Sequence, residues 1–253
     1  RQTITLDKAQ SIYFSLAESS TQLEEVVVEA EEEDHNVTDL SISRSEINIA
    51  QVKNLPALFG EPDIIKAVQM QPGVLTAGEG TSAFFVRGGS ADQNMILLDE
   101  APVYDPSHFF GLFSVFNADV IKSSELYRGG IPARIGGRQT SLLEVRTKDG
   151  NTNRLAGAGA IGTLASKFML EGPIANDKSS FIVSGRRSYA DVLAKAVGQN
   201  IPVYFYDVNA KINWKPNNKN RFFLAAYLGR DVINFDDGGI GWGNKTATFR
   251  WNH

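Results

Sequence analysis

Hydrophobic and polar positions alternate with period two along most of the last hundred residues. Tyr204, Tyr206, Val208, Ala210, Ile212 and Trp214 give one apolar or aromatic face, while Asp207, Asn209, Lys211 and Asn213 fill the other. Ala247, Phe249 and Trp251 alternate with Thr246, Thr248, Arg250 and Asn252, and Phe181 and Val183 with Ser180, Ser184 and Arg186. The pattern predicts five strands, near 154–172, 179–189, 203–215, 220–231 and 245–253. The connections 173–178 and 215–220 read as short, and 190–202 and 231–244 as long. Short turns at one end, long loops at the other and aromatic residues at strand ends suit an outer-membrane barrel. A soluble antiparallel sandwich alternates equally well, so periodicity alone leaves both open. Five strands cannot close a large barrel by themselves.

Upstream, the elements are shorter. Pro62 fits the first turn of a helix through Ile64, Ile65, Ala67 and Val68, which Gln71-Pro72-Gly73 ends. Ala83–Val86 and Met95–Leu98 read as strands flanking Gly88-Gly89, and Leu142–Arg146 as a third before Asp149-Gly150. Residues 46–150 thus look like a compact α/β domain with glycine-shaped loops. Nearer the start, Thr3–Leu6 and Ser11–Leu16 alternate like the closing strands of a small β-domain.

Charge sharpens these boundaries. All 23 glycines lie at or after Gly60, and residues 1–59 hold 11 acidic against 4 basic residues. Within that segment Glu31, Glu32, Glu33 and Asp34 form a like-charge block expected to be a solvated, disordered linker. The whole chain of 253 residues carries net −4, which disfavours nucleic acid as a partner. It has no cysteine, excluding disulfide scaffolds, cysteine-class zinc sites and cysteine nucleophiles. No run of 18 apolar residues exists, so a spanning helix is excluded while barrel strands are not. The chain opens at Arg1 without methionine and stops at His253 within a strand pattern, as a piece of a longer protein would.

Catalysis finds no visible home. His35, His108 and His253 are widely separated, and no G-x-S-x-G elbow exists. Gly157-Ala158-Gly159-Ala160-Ile161-Gly162 satisfies the dinucleotide fingerprint, but no helical pattern follows it, so small residues in a strand are the better account. Three other features bear on binding. Glu25–Val28, with Glu24, is suited to adding a strand to another protein's sheet edge, and equally to being an ordinary strand with gatekeeping charges. Arg87 and Arg128 each precede two glycines, as surface arginines or as guanidinium forks for a distant carboxylate. Asp105–Gly111 holds two rings and a histidine's imidazole in a turn, to be either core or recognition tip.

In order along the chain, Glu25-Val26-Val27-Val28, Leu55-Pro56, Gln71-Pro72-Gly73-Val74, Val86-Arg87-Gly88-Gly89, Leu97–Pro102, Glu125–Gly130 and Pro132–Arg138 resemble the plug and first barrel strands of TonB-dependent outer-membrane receptors. Residues 1–20 resemble the end of the carboxypeptidase-regulatory-like domain that precedes the box in Bacteroidetes members. The departure is Glu100, where many members have glycine after the aspartate.

The resemblance implies an α/β plug domain followed by the N-terminal antiparallel strands of a transmembrane β-barrel, the chain being a fragment of a larger barrel protein. Its implied organisation is a β-sandwich end at 1–22, the TonB box and acidic linker at 23–45, the plug at 46–150 and barrel strands at 151–253. It implies no enzyme and no cofactor, but energised import of a scarce ligand such as a ferric siderophore or haem, with plug and N-terminal part on the periplasmic side. Alternatives are a signalling receptor or assembly scaffold, or a lipoprotein-lidded peptide or glycan importer. Partners would be TonB, outer-membrane lipid, an extracellular ligand and, in the lidded case, a surface lipoprotein. The TonB box would be Glu24, Glu25, Val26, Val27 and Val28, the latches Arg87 and Arg128, and the ligand-facing plug residues Thr76, Glu79, Thr81, Ser82, Tyr104, Asp105, His108 and Phe109.

Overall fold

The computed structural model describes residues 43–55, 60–78, 80–175, 178–196, 198, 203–235 and 238–253. The predicted elements before residue 43, the TonB box, the linker up to residue 42, Pro56 and Glu79 lie outside the described residues, while Arg44 and Ser45, expected in the linker, belong to the first plug strand.

The plug begins with strand β1 (Arg44–Ile47) and helix α1 (Ile49–Asn54), neither of which the sequence pattern announced. Asn48 caps α1, its Oδ1 accepting from the Ala50 and Gln51 amides. Helix α2 (Ile64–Gln69) lies where expected, but its cap is Asp63, so Pro62 precedes the helix instead of opening it. Asp63 accepts from the amides of Ile65 at 2.7 Å and Lys66 at 3.3 Å through one oxygen, and from the Ser114 amide at 3.0 Å through the other. Burial pushes the Asp63 carboxyl up, against those hydrogen bonds.

Strands β2 (Val74–Thr76) and β3 (Phe84–Val86) pair as a small hairpin, followed by β4 (Asn94–Leu98) and β5 (Ala101–Pro102). Next come β6 (Ser107–His108), β7 (Phe113–Ser114), β8 (Ile121–Tyr127) and β9 (Ser141–Thr147). The main plug sheet has the order β1-β8-β9-β4-β5, parallel only between β4 and β9. Its core joins Val52, Ile64, Ile65 and Val68 from the helices to Val86, Leu126, Leu143 and Val145 from the strands.

The remaining strands form one antiparallel meander: β10 (Ala156–Ile161), β11 (Ala165–Pro173), β12 (Ser179–Ser188), β13 (Val203–Asn217), β14 (Asn220–Phe235) and β15 (Gly238–Asn252), with helix α3 (Ala190–Ala196) after β12. The stretch expected as one strand at 154–172 is two, folded at residues 162–164. The expected long loop at 231–244 is instead the paired end of β14 and β15, in register from Arg230 opposite Gly243 to Phe235 opposite Gly238. Glycines 239, 241 and 243 removed the side-chain signal on which period two depends, yet each keeps its ladder donor and acceptor.

Alternation along β13 runs inside out. Asp207, Asn209, Lys211 and Asn213 are buried, while Val208, Ile212 and Trp214 are exposed. Exposed Phe168, Leu170, Leu224, Phe249 and Trp251 extend the apolar outer face across neighbouring strands. A soluble sandwich would bury that face. This arrangement decides for a membrane wall, apolar toward lipid and polar toward the lumen. Trp214, Phe222 and Trp251 stack with centroids 5.2 and 5.8 Å apart, beside the short turn at 218–219.

Candidate functional site

The plug sits on the polar face of the wall, and ion pairs concentrate along that seam. From β11, Lys167 Nζ lies 2.8 Å from Asp119 and 3.5 Å from Glu61 of the plug. From β13, Lys211 Nζ lies 3.3 Å from Asp99 and 3.1 Å from Asp149, and donates to the Thr147 carbonyl at 2.8 Å. From β14, Arg221 reaches Asp149 at 2.9 Å, and from β15 Arg250 pairs with Glu100. In each pair the wall supplies the cation and the plug the carboxylate. Burial opposes the charge of Asp149, but Lys211, Arg221 and Lys122 together hold its carboxyl below the ordinary range. Asp119 behaves likewise, its burial outweighed by Lys167 and Lys53.

Glu100 explains its own departure from glycine. Asp99 and Glu100 form the two-residue turn between β4 and β5, with φ of +46° and +73°, the left-handed backbone such turns require. Both carboxylates are then used. Asp99 accepts from the Thr147 amide at 3.1 Å, and Glu100 reaches the wall at Arg250.

A second cluster lies deeper. Arg186 of β12 donates to Asp207 Oδ2 from Nε at 2.8 Å and from Nη2 at 2.6 Å, and Nη2 also donates to the Ser114 carbonyl of the plug at 2.7 Å. His108 places Nε2 3.2 Å from the same Asp207 oxygen and Nδ1 2.7 Å from Asp231 Oδ2. Its ring stacks on Phe205 at 4.3 Å. Asp231 Oδ1 accepts from the Phe109 amide at 2.9 Å, and Asn244 Oδ1 accepts from the amides of Tyr104 at 3.2 Å and Asp105 at 3.3 Å. Thus the turn after β5 is stitched to three wall strands.

The predicted residues fall into separate places. Tyr104 is 81% exposed, but His108 is 1% exposed with its imidazole turned to the wall, and Phe109 joins Phe113 and Phe205 in an aromatic cluster. Asp105 is spent locally, accepting from the Ser107 amide and hydroxyl. Thr76 is exposed and bonds Gly78, and the Thr81 carbonyl accepts from Lys66 Nζ and Gln69 Nε2. The two predicted loops do meet: Gly111, at φ +116°, packs so closely on Thr81 and Ser82 that a Cβ there would stand 2.6 Å from their backbone. Arg87 and Arg128 are elsewhere, bracing β1. Arg87 Nη2 donates to Ser43 Oγ at 2.6 Å, and Arg128 donates to Ser45 Oγ at 2.6 Å and to the Pro72 carbonyl.

Sequence reasoning missed Arg186, Asp231 and Asn244 as seam residues. For Arg186 and Asp231 a signal was available, since a charged group on the lumen face of a membrane strand must meet a partner, but Asn244 is uncharged and fell in the stretch expected as a loop.

An α/β body fastened by hydrogen-bonded charges to the polar side of a lipid-facing wall is a plug within a β-barrel. Residues 36–141 match the family model of the TonB-dependent receptor plug domain. The chain resembles the siderophore receptor PirA from Acinetobacter baumannii (21% identity, 81% of this chain and 33% of that one, TM-score 0.57). It also resembles the copper transporter OprC (14%, 83% and 34%, TM-score 0.57) and the outer-membrane transporter YddB from Escherichia coli (12%, 83% and 36%, TM-score 0.56). No curated protein sequence matches. Residues 36–141 thus carry a plug domain of the TonB-dependent receptor kind, the fold is that of these solved structures, and the chain spans about a third of their length.

Proposed function

We propose that the whole protein imports a scarce ligand across the outer membrane, driven by TonB, with the plug as the gate. The observation that carries this reading is the chemistry of the seam. Except around Leu164, Ala165, Met169, Ile182, Phe205 and Tyr227, plug and wall meet mainly through ion pairs and polar hydrogen bonds. Separating such pairs restores the hydration of both partners, which offsets much of their attraction, whereas a continuous apolar interface would resist displacement. A plug held in this way can be moved and reseated.

In this reading Glu24–Val28 is the box that adds a strand to TonB, followed by the acidic linker, a plug over 46–150 and wall strands from 151. Arg87 and Arg128, whose bonds among the described residues brace β1, are proposed as latches, and the Thr76–Ser82 and Tyr104–Phe109 segments, Glu79 included, as the ligand-facing side, with Thr76 and Tyr104 exposed and His108 turned to the wall. Membrane lipid meets the outer face. The named cargos of the similar structures, a siderophore and copper, favour a metal chelate. The test is uptake of labelled ferric chelates by cells carrying the full-length receptor, with and without a protonophore. Gradient-dependent uptake is expected, and binding without uptake would favour a signalling receptor.

A further inference from the structure

We infer that His108 is an imidazolium latch that fastens the Tyr104–Phe110 turn of the plug to the wall and releases it when the ring loses a proton. Both ring nitrogens face carboxylate oxygens, Nδ1 at 2.7 Å from Asp231 and Nε2 at 3.2 Å from Asp207. A neutral imidazole carries one N–H, so one of those contacts would set lone pair against lone pair. With both carboxylates ionised, only the doubly protonated ring satisfies both.

Charge balance points the same way. The groups facing the ring are Asp207 on β13, Asp231 on β14 and Arg186 on β12, with Tyr227 Oη 3.5 Å from Nε2, too far for a strong bond. Glu61 stands 3.8 Å from Arg186 and has Lys167 for a partner. With His108 charged, two cations meet two carboxylates. Without its proton, a site nearly free of solvent keeps an uncompensated negative charge. Burial disfavours the charged ring, but its bonds to Asp207 and Asp231 outweigh this and raise its pKa above the ordinary value.

The backbone beside the latch stores the means of release. Phe109 and Phe110 have φ of +50° and +58°, a left-handed conformation that strains bulky residues. Bonds at His108, from the Phe109 amide to Asp231 and from the Tyr104 and Asp105 amides to Asn244 hold the turn, and losing the first loosens it at Phe109 and Phe110.

The experiment uses the full-length receptor in detergent, free of other cysteines, with a nitroxide on Phe110→Cys read by electron paramagnetic resonance from pH 5 to 10. An immobile label at low pH that becomes mobile as pH rises is expected. His108→Gln, which cannot titrate, should abolish the transition. Asp231→Asn, which keeps the shape and removes one charge, should lower its midpoint by about one unit or more. A constant signal across the range, a His108→Gln profile matching the parent, or an unmoved midpoint in Asp231→Asn would each overturn the latch. Asp231→Asn decides the matter alone should His108→Gln fail to fold.

Discussion

Glu100 of the plug and Arg250 of the wall form an ion pair from a backbone that glutamate adopts only under strain, with φ of +73°. The two effects can be separated. Glu100→Gly relieves the strain and loses the pair, whereas Glu100→Ala loses the pair and keeps the strain. Glycine should therefore be the more stable variant by about 1 kcal/mol, from the cost of left-handed backbone, in calorimetry of the full-length receptor. Equal stabilities would mean that the turn carries no strain.

Arg186 and Asp207 are both nearly free of solvent exposure. Arg186→Met leaves the Asp207 carboxylate facing His108 alone and should destabilise the plug–wall unit by about 3–5 kcal/mol. Arg186→Met with Asp207→Leu removes the orphaned charge and should recover part of that loss. Thermal unfolding of parent, single and double variants measures the coupling. A double variant no better than the single one refutes this account.

Val208 is 39% exposed on the outer face of β13. In water, arginine there would cost almost nothing. Facing lipid near mid-depth, Val208→Arg should cost about 2–4 kcal/mol in refolding into bilayers. A neutral effect would contradict the inside-out assignment of the strand.

Asp119 and Asp149 have folded pKa values below the ordinary carboxylate value of about 3.9. For a depressed group, the stabilisation is complete above the unfolded pKa and disappears as pH falls through the folded one. The seam should hold at pH 5 and loosen between pH 4 and lower values, seen as faster proteolysis of the plug. Lys167→Gln removes the nearest cation from Asp119 and should flatten that response, and an unchanged slope would discount the pair.

Val27→Pro removes a ladder donor from the proposed box. Binding of the full-length receptor to the TonB C-terminal domain should be lost. Retained binding would reject Glu24–Val28 as the contact.

The sequence made some of this legible and hid the rest for physical reasons. Helix α2 was visible because its apolar positions and its stop at Gln71-Pro72-Gly73 are local signals. Strand β1 was hidden because Arg44–Ile47 is short and polar, and takes its order from β8, whose residues lie about 80 positions away. Period two showed that β13 has two faces but not which one is buried, since the sign depends on whether lipid or water lies outside. For His108 the composition of its turn allowed core or tip. Its partner Asp231 is 123 positions distant, and no local pattern links them.

The division of charge along the seam bears on what a vacated passage would be like. With the plug drawn away, its carboxylates at Glu61, Asp99, Glu100, Asp119 and Asp149 would leave with it. The wall would retain Lys167, Arg186, Lys211, Arg221 and Arg250 against Asp207 and Asp231. Should the plug leave as proposed, the face of these six strands would carry more positive than negative charge and would favour anions over free cations.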